Sequence, residues 1–143
     1  MKKQEVEKIK QERPEGLVMQ TGACIYCGQI RQIEALDFWE AEDCNELATE
    51  LCDCLEARIY TAKKNQKENA GKIIDKQFGE KIPQPSPVEI VDLLKTGAAL
   101  IVEQKLGKLT LTCEDGIEAK ISATSKGAIK VERKKTEKRA EEA

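Results

Sequence analysis

The apolar positions between Pro87 and Glu132 change period once. Ile90, Val91, Leu94, Ala98, Ile101 and Val102 recur every three to four residues and mark one face of a helix over 87–103. In front of it stand Ser86 as N-cap, Pro87 at the first helical position and Glu89 as capping-box partner. Leu93 and Leu100 border the stripe and widen its apolar arc beyond the usual ~100°. After Gly107 the period drops to two. Leu109, Leu111 and Cys113 alternate with Thr110 and Thr112. Ile117, Ala119, Ile121 and Ala123 alternate with Glu118, Lys120 and Ser122. Ile129 and Val131 alternate with Lys130 and Glu132. Asp115-Gly116 predicts a type I′ hairpin turn, and Ser125–Gly127 a second turn. The pattern is a helix plus a three-stranded antiparallel meander with one apolar face, and it puts Cys113 in that face.

The first half is less regular. Ile30 and Ile33 break strict parity, so 29–36 reads only loosely as a strand. Asp37 with Glu40 reads as a capping box before Cys44, Leu47, Ala48 and Leu51, which share one helix face. Leu55, Ile59, Ala62, Ala70, Ile73, Ile74 and Phe78 trace a second helix over 55–79, polar all round from Lys63 to Asn69 and stopped by Gly79. Three prolines in 81–87 cannot continue a helix and mark a linker. Residues 1–16 hold almost no apolar positions and are expected to be disordered or a frayed helix, and 134–143 a charged tail. The expected class is α+β. A helical Cys₄ zinc-knuckle module with two helices (17–80) precedes the linker, and the helix-plus-meander module (88–133) follows it.

Composition sharpens this picture. Charged residues make up 35% and Phe, Trp and Tyr only five of 143, a lean core that benefits from a staple. No apolar run approaches the ~20 residues of a membrane span, and "MKKQEVEKIKQERPEG" lacks the apolar stretch of a secretory signal. The expectation is a cytoplasmic protein with no membrane partner. In a reducing compartment, six cysteines point to metal or redox chemistry before disulfides.

Cys24 and Cys27 stand in a Cys-x-x-Cys-Gly turn, and Cys52 and Cys54 in a Cys-x-Cys. Two close pairs complete a four-thiolate set for a structural Zn²⁺. In a helix, residues two apart point about 200° from one another. Cys52 and Cys54 therefore share an ion only if one helix ends near residue 51 and the next begins after Cys54. Cys44 could replace Cys52 or Cys54, although its place on an apolar stripe favours a buried thiol. An iron–sulfur cluster and a redox pair are chemically allowed, but the βαβ setting of the latter is missing. With no histidine in the chain there is no imidazole base and no His-liganded catalytic metal. An all-cysteine zinc site is closed to substrate, and no small-molecule substrate is evident. The reading is non-catalytic.

Binding remains, to a protein or to nucleic acid. The wide arc at Leu93 and Leu100 would take a partner or a second copy of the chain. Phe38 and Trp39, expected exposed near a helix start, are a further contact. The alternative is a nucleic-acid interface. It would use Lys63, Lys64 and Lys67 on the second helix with Lys120, Lys130, Arg133, Lys134 and Lys135 on a basic sheet face, continuing to Lys138 and Arg139. Few aromatics for base stacking and interspersed acids weigh against it.

The pattern "TGACIYCGQ…CDCLEA" with "AKISATSKGAIKVER" resembles small zinc-knuckle proteins of phages and prophages of Gram-positive bacteria. The likeness covers most of 18–133. Its most specific parts are Cys24, Cys27, Gly28, Gln29 and Cys52-Asp53-Cys54. It implies a phage-borne, zinc-binding accessory protein that binds, and possibly inhibits, a host factor.

Overall fold

The computed structural model describes residues 1–135. The chain divides into two compact units, Met1–Asn65 and Gln66–Ala143. The division falls in the polar middle of the second predicted helix and not in the 81–87 linker. That middle offers no apolar stripe to tie it to either core. The prolines instead belong to the second unit, where Ser86 N–H donates to Phe78 O (2.9 Å) and Arg133 donates to Gln84 O (3.1 Å).

The first unit begins with α1 (Lys2–Glu12) and a 3₁₀ turn, Pro14–Gly16. Residues 2–12 are thus a helix packed on its neighbours, where disorder or a frayed helix is expected, for two reasons. Val6 is buried in the core. The Glu50 side chain, with no solvent exposure, accepts the Lys2 and Lys3 backbone N–H groups at 3.1 and 2.8 Å. A carboxylate there satisfies orphan donors and complements the helix dipole.

Strands β1 (Leu17–Ala23) and β2 (Ile30–Leu36) pair antiparallel, from Leu17↔Leu36 to Ala23↔Ile30. The parity break resolves here: Ile33 and Ala35 face the core, whereas Ile30 faces solvent. Helix α2 (Ala41–Leu51) lies on β1. Its N-terminal contact is one turn later than expected, with Glu40 N–H donating to Asp43 Oδ2 at 3.0 Å. Gly22 permits the close approach, since a Cβ there would stand 2.4 Å from Cys44 O. Trp39 is 8% exposed and packs with Leu36, Cys44 and Leu47, which corrects its expected exposure. The chain turns back at Leu36–Trp39 and folds the indole inward, while adjacent Phe38 stays out.

Helix α3 (Leu55–Phe78) ends where Gly79 N–H bonds to Asp75 O at 2.9 Å. In the second unit its Ala70, Ile74 and Phe78 pack with Leu94, Ala98 and Ile101 of α4 (Val88–Val102). They cover the inner face of a sheet ordered β3 (Lys108–Thr112), β4 (Ile117–Ala123), β5 (Ile129–Lys135). Phe78, Ile74, Leu94, Ile117 and Ile121 are fully buried, each worth roughly 1.5–3 kcal/mol of hydrophobic transfer. The predicted meander is present with its alternation intact.

Three local details differ from expectation. Both hairpins use three-residue loops, with Cys113 N–H bonded to Ile117 O and Thr124 N–H to Ala128 O. Only the glycine of each loop, Gly116 and Gly127, has positive φ (84° and 82°), so the first turn is a bulged type and not type I′. Cys113 ends up half-buried at the sheet's edge. Pro87 and not Ser86 occupies the α4 N-cap position, and Ser86 makes no cap bond.

Candidate metal centre

The loop joining β1 to β2 is the Cys-x-x-Cys-Gly segment. Cys24 N–H bonds to Gln29 O (3.1 Å) and Gly28 N–H to Cys24 O (2.9 Å). Gly28 has φ 75°, a left-handed conformation that a side chain would strain. Cys52 and Cys54 bracket the break between α2 and α3. Cys52 is the C-cap of α2, in extended conformation. Cys54 precedes α3, and its carbonyl accepts the Arg58 N–H at 3.0 Å. The Cys54 sulfur takes the Ala57 N–H, the bond an N-cap side chain makes. The chain thus leaves helix at Cys52 and Asp53, as the spacing requires.

These elements bring all four sulfurs within 4.8 Å of one another. Cys24 Sγ is 3.8 Å from Cys54 Sγ, and Cys27 Sγ is 3.5 Å from Cys52 Sγ. Sulfurs about 2.3 Å from one tetrahedral ion stand roughly 3.8 Å apart, so the set fits a metal ion. Cys24 and Cys52 are buried, Cys54 is half-buried and Cys27 exposed. All six cysteines are free thiols. Cys44 lies in the α2–β2 core and Cys113 in the other unit, so neither joins the set.

The electrostatics favour a thiolate at Cys24 and oppose one at Cys27 and Cys54. Burial pushes the Cys24 thiol up, but the Cys27 and Tyr26 N–H groups and the thiols of Cys27 and Cys52 outweigh it and bring it to about 6. At Cys54 the Ala57 N–H favours the thiolate. Burial and the thiols of Cys52, Cys24 and Cys27 outweigh that donor and push Cys54 up to about 12. Four crowded thiolates cannot all ionise unaided. A divalent cation removes that repulsion, and its binding releases protons.

Two α2 residues that no motif singled out position the knuckle. Asn45 Oδ1 accepts Ala23 N–H at 3.0 Å, and Thr49 Oγ1 accepts Ile25 N–H at 3.0 Å. These amides flank Cys24. Thr49 is fully buried and donates its hydroxyl proton to Asn45 O at 2.8 Å. Their spacing of four along α2 is the only signal the sequence offers. Gln29 Oε1 lies 3.8 Å from Cys52 Sγ.

The remaining candidates are dispersed. Phe38 is 71% exposed, and Leu93 and Leu100 of α4 are exposed at 46% and 38%. On α3, Lys64 is ion-paired with Glu46 and Glu50, and Lys67 with Glu103. Lys63 also lies on α3 and makes interactions of its own. The outer sheet face carries Lys108, Lys120, Lys130 and Lys134 among Glu118 and Glu132. Arg133 and Lys135 have the opposite parity: Arg133 sits 5.8 Å over the Phe78 ring, and Lys135 bonds Gln84 Oε1 at 3.0 Å. The expected basic face is therefore split. Lys138 and Arg139 lie outside the described residues.

Fold and centre define a small α+β protein with a four-cysteine knuckle able to hold a metal ion. No protein-family model, curated protein or solved structure matches the chain. Among the described residues, no helix is long and apolar enough to cross a membrane.

Proposed function

We propose that this chain is a non-catalytic binding protein whose first unit is held by a structural Zn²⁺, and that it docks on a host protein and inhibits it. One observation carries the reading: four sulfurs from two distant bends converge at metal-ligand separations. Four thiolates suit zinc and leave it no open position for substrate. The ion then contributes to folding and not to turnover. Exposed Phe38 on the first unit, or Leu93 and Leu100 on the second, supply the apolar contact. The phage and prophage resemblance supplies the setting, the cytoplasm of a bacterial host.

The test is affinity capture from nuclease-treated host lysate with zinc-loaded protein. One host protein, retained by the wild type and lost with Phe38→Ser or with Leu93→Ser/Leu100→Ser, is expected. Equal recovery by all three forms, or no stoichiometric zinc by elemental analysis, overturns the reading. The outer lysines of β3–β5 favour a second reading, contact with nucleic acid. That contact would weaken steeply with added salt and would vanish on nuclease treatment.

A further inference from the structure

Two thiol contacts in the cysteine centre join one segment to the other. Cys27 Sγ stands 3.5 Å from Cys52 Sγ, and Cys24 Sγ 3.8 Å from Cys54 Sγ. The four sulfurs are unequally open to solvent. Cys27 is exposed, whereas Cys24 and Cys52 are buried and Cys54 is half-buried. An exposed thiolate is the one a dissolved oxidant meets first. Its neighbour Cys52 is shielded from that oxidant, yet lies beside the sulfur that is not.

The backbone keeps these two together. Cys52 is the C-cap of α2. The same helix holds the knuckle loop through Asn45 on Ala23 N–H and Thr49 on Ile25 N–H. Those bonds involve no sulfur, so oxidation of the thiols leaves them intact. Of the other two cysteines, Cys44 is buried in the core and Cys113 belongs to the second unit.

We propose that Cys27 and Cys52 are a peroxide-sensitive thiol pair that exchanges the bound metal ion for a disulfide. The inference rests on the zinc centre proposed above. The Cys27 thiolate attacks a hydroperoxide. An S–O bond forms, the O–O bond breaks, and the leaving alkoxide or hydroxide takes a proton from water. The Cys52 thiolate then attacks the Cys27 sulfur. An S–S bond forms, the S–O bond breaks and hydroxide leaves. The two sulfurs lose two electrons, and the hydroperoxide gains them. Neutral disulfide sulfurs no longer serve as ligands. The two thiolates left, Cys24 and Cys54, are too few for a four-coordinate structural site. The new bond joins the same two segments that the ion joined, so the first unit stays closed after metal loss.

The test treats the full, zinc-loaded ¹⁵N-labelled chain with hydrogen peroxide. Released zinc is read with a coloured chelator, the disulfide by intact mass and peptide mapping, and the fold by amide spectra. Zinc release in step with loss of two hydrogens is expected, with Cys27–Cys52 as the first cross-link. The Met1–Asn65 amides should stay dispersed, and reduction with dithiothreitol should restore zinc binding. Four results overturn the proposal. These are zinc retained in excess peroxide, oxidation of Cys27 that stops short of a disulfide, a first disulfide between any other pair of cysteines, and collapse of the first-unit amides on oxidation. In all four the untreated protein carries its zinc, and the centre itself stands. Absence of zinc before peroxide is added refutes the centre instead, and the peptide map then still decides whether Cys27 and Cys52 pair.

Discussion

Thr49 Oγ1 accepts the backbone N–H of Ile25 at 3.0 Å, and so ties the middle of α2 to the residue after the first cysteine. The metal knuckle is therefore not a free-standing loop. Its backbone is held by a buried hydroxyl that shares a helix with the cysteine ending that helix, Cys52. The same turn of α2 supplies Asn45 for Ala23 N–H. Outer contacts of this kind set ligand geometry as much as the ligands do.

Thr49→Val keeps the shape but removes the acceptor of the Ile25 N–H. It should cost about 1–3 kcal/mol and weaken metal affinity roughly 10–100-fold. Thr49→Ser should restore most of both. Denaturant unfolding and competition with a coloured chelator read the two effects separately.

Metal removal should act on one unit. With chelator, amide resonances of Met1–Asn65 should collapse while those of the β3–β5 sheet persist, because only the first unit uses the ion as core. Cys24→Ser and Cys52→Ser should abolish stoichiometric zinc, whereas Cys44→Ala and Cys113→Ala should leave it intact. Loss of zinc in Cys44→Ala, with the protein still folded, would move the ligand set.

Two glycines make a contrasting pair. In Gly22→Ala the new methyl meets Cys44 O at 2.4 Å, a backbone atom that cannot step aside. A loss of about 3 kcal/mol is expected, at the upper end of overpacking costs. In Gly97→Ala it meets Leu109 Cδ2 at 2.3 Å, the end of a flexible side chain. The ~1 kcal/mol gained in helix propensity should offset much of that clash. Thermal unfolding of both variants decides whether backbone or side-chain contact governs tolerance.

The Lys2–Asp43 ion pair (3.0 Å) predicts two pH limbs. Glu40 N–H and the Lys2 ammonium hold the Asp43 carboxyl below its ordinary 3.8. Its contribution is present above that value and is lost as pH falls through the lowered one. The hydrogen bond that the Lys2 ammonium donates to the Asp43 carboxylate holds Lys2 above 10.5 against partial burial. That contribution is present below 10.5 and lost as pH rises through the raised value. Between the limbs the pair should contribute a constant, salt-sensitive amount. Asp43→Asn should flatten the acid limb of a Tm-versus-pH curve, and Lys2→Met the alkaline one.

Much of the second unit is legible in the sequence alone. The change of period at Gly107 and the alternation through Ile117–Val131 depend only on which positions are apolar, and burial of one face follows. The cysteine set was legible for a related reason. A Cys-x-Cys cannot serve one ion from inside a helix, so α2 had to end by residue 51 and α3 begin after Cys54. Local geometry enforces both readings, whatever the rest of the chain does.

Tertiary structure decided the rest, because it depends on residues far apart in sequence. α1 carries only a sparse apolar stripe. It is ordered by Val6 and by a carboxylate 48 residues from Lys2, Glu50. Trp39 and Phe38 are indistinguishable neighbours by composition, and a turn of the backbone sends one to the core and the other to solvent. Ser86 reads as a cap, yet its backbone is drawn to Phe78 O and its hydroxyl is buried with no hydrogen-bond partner. Periodicity names the face an element buries, but only packing decides which distant group meets it.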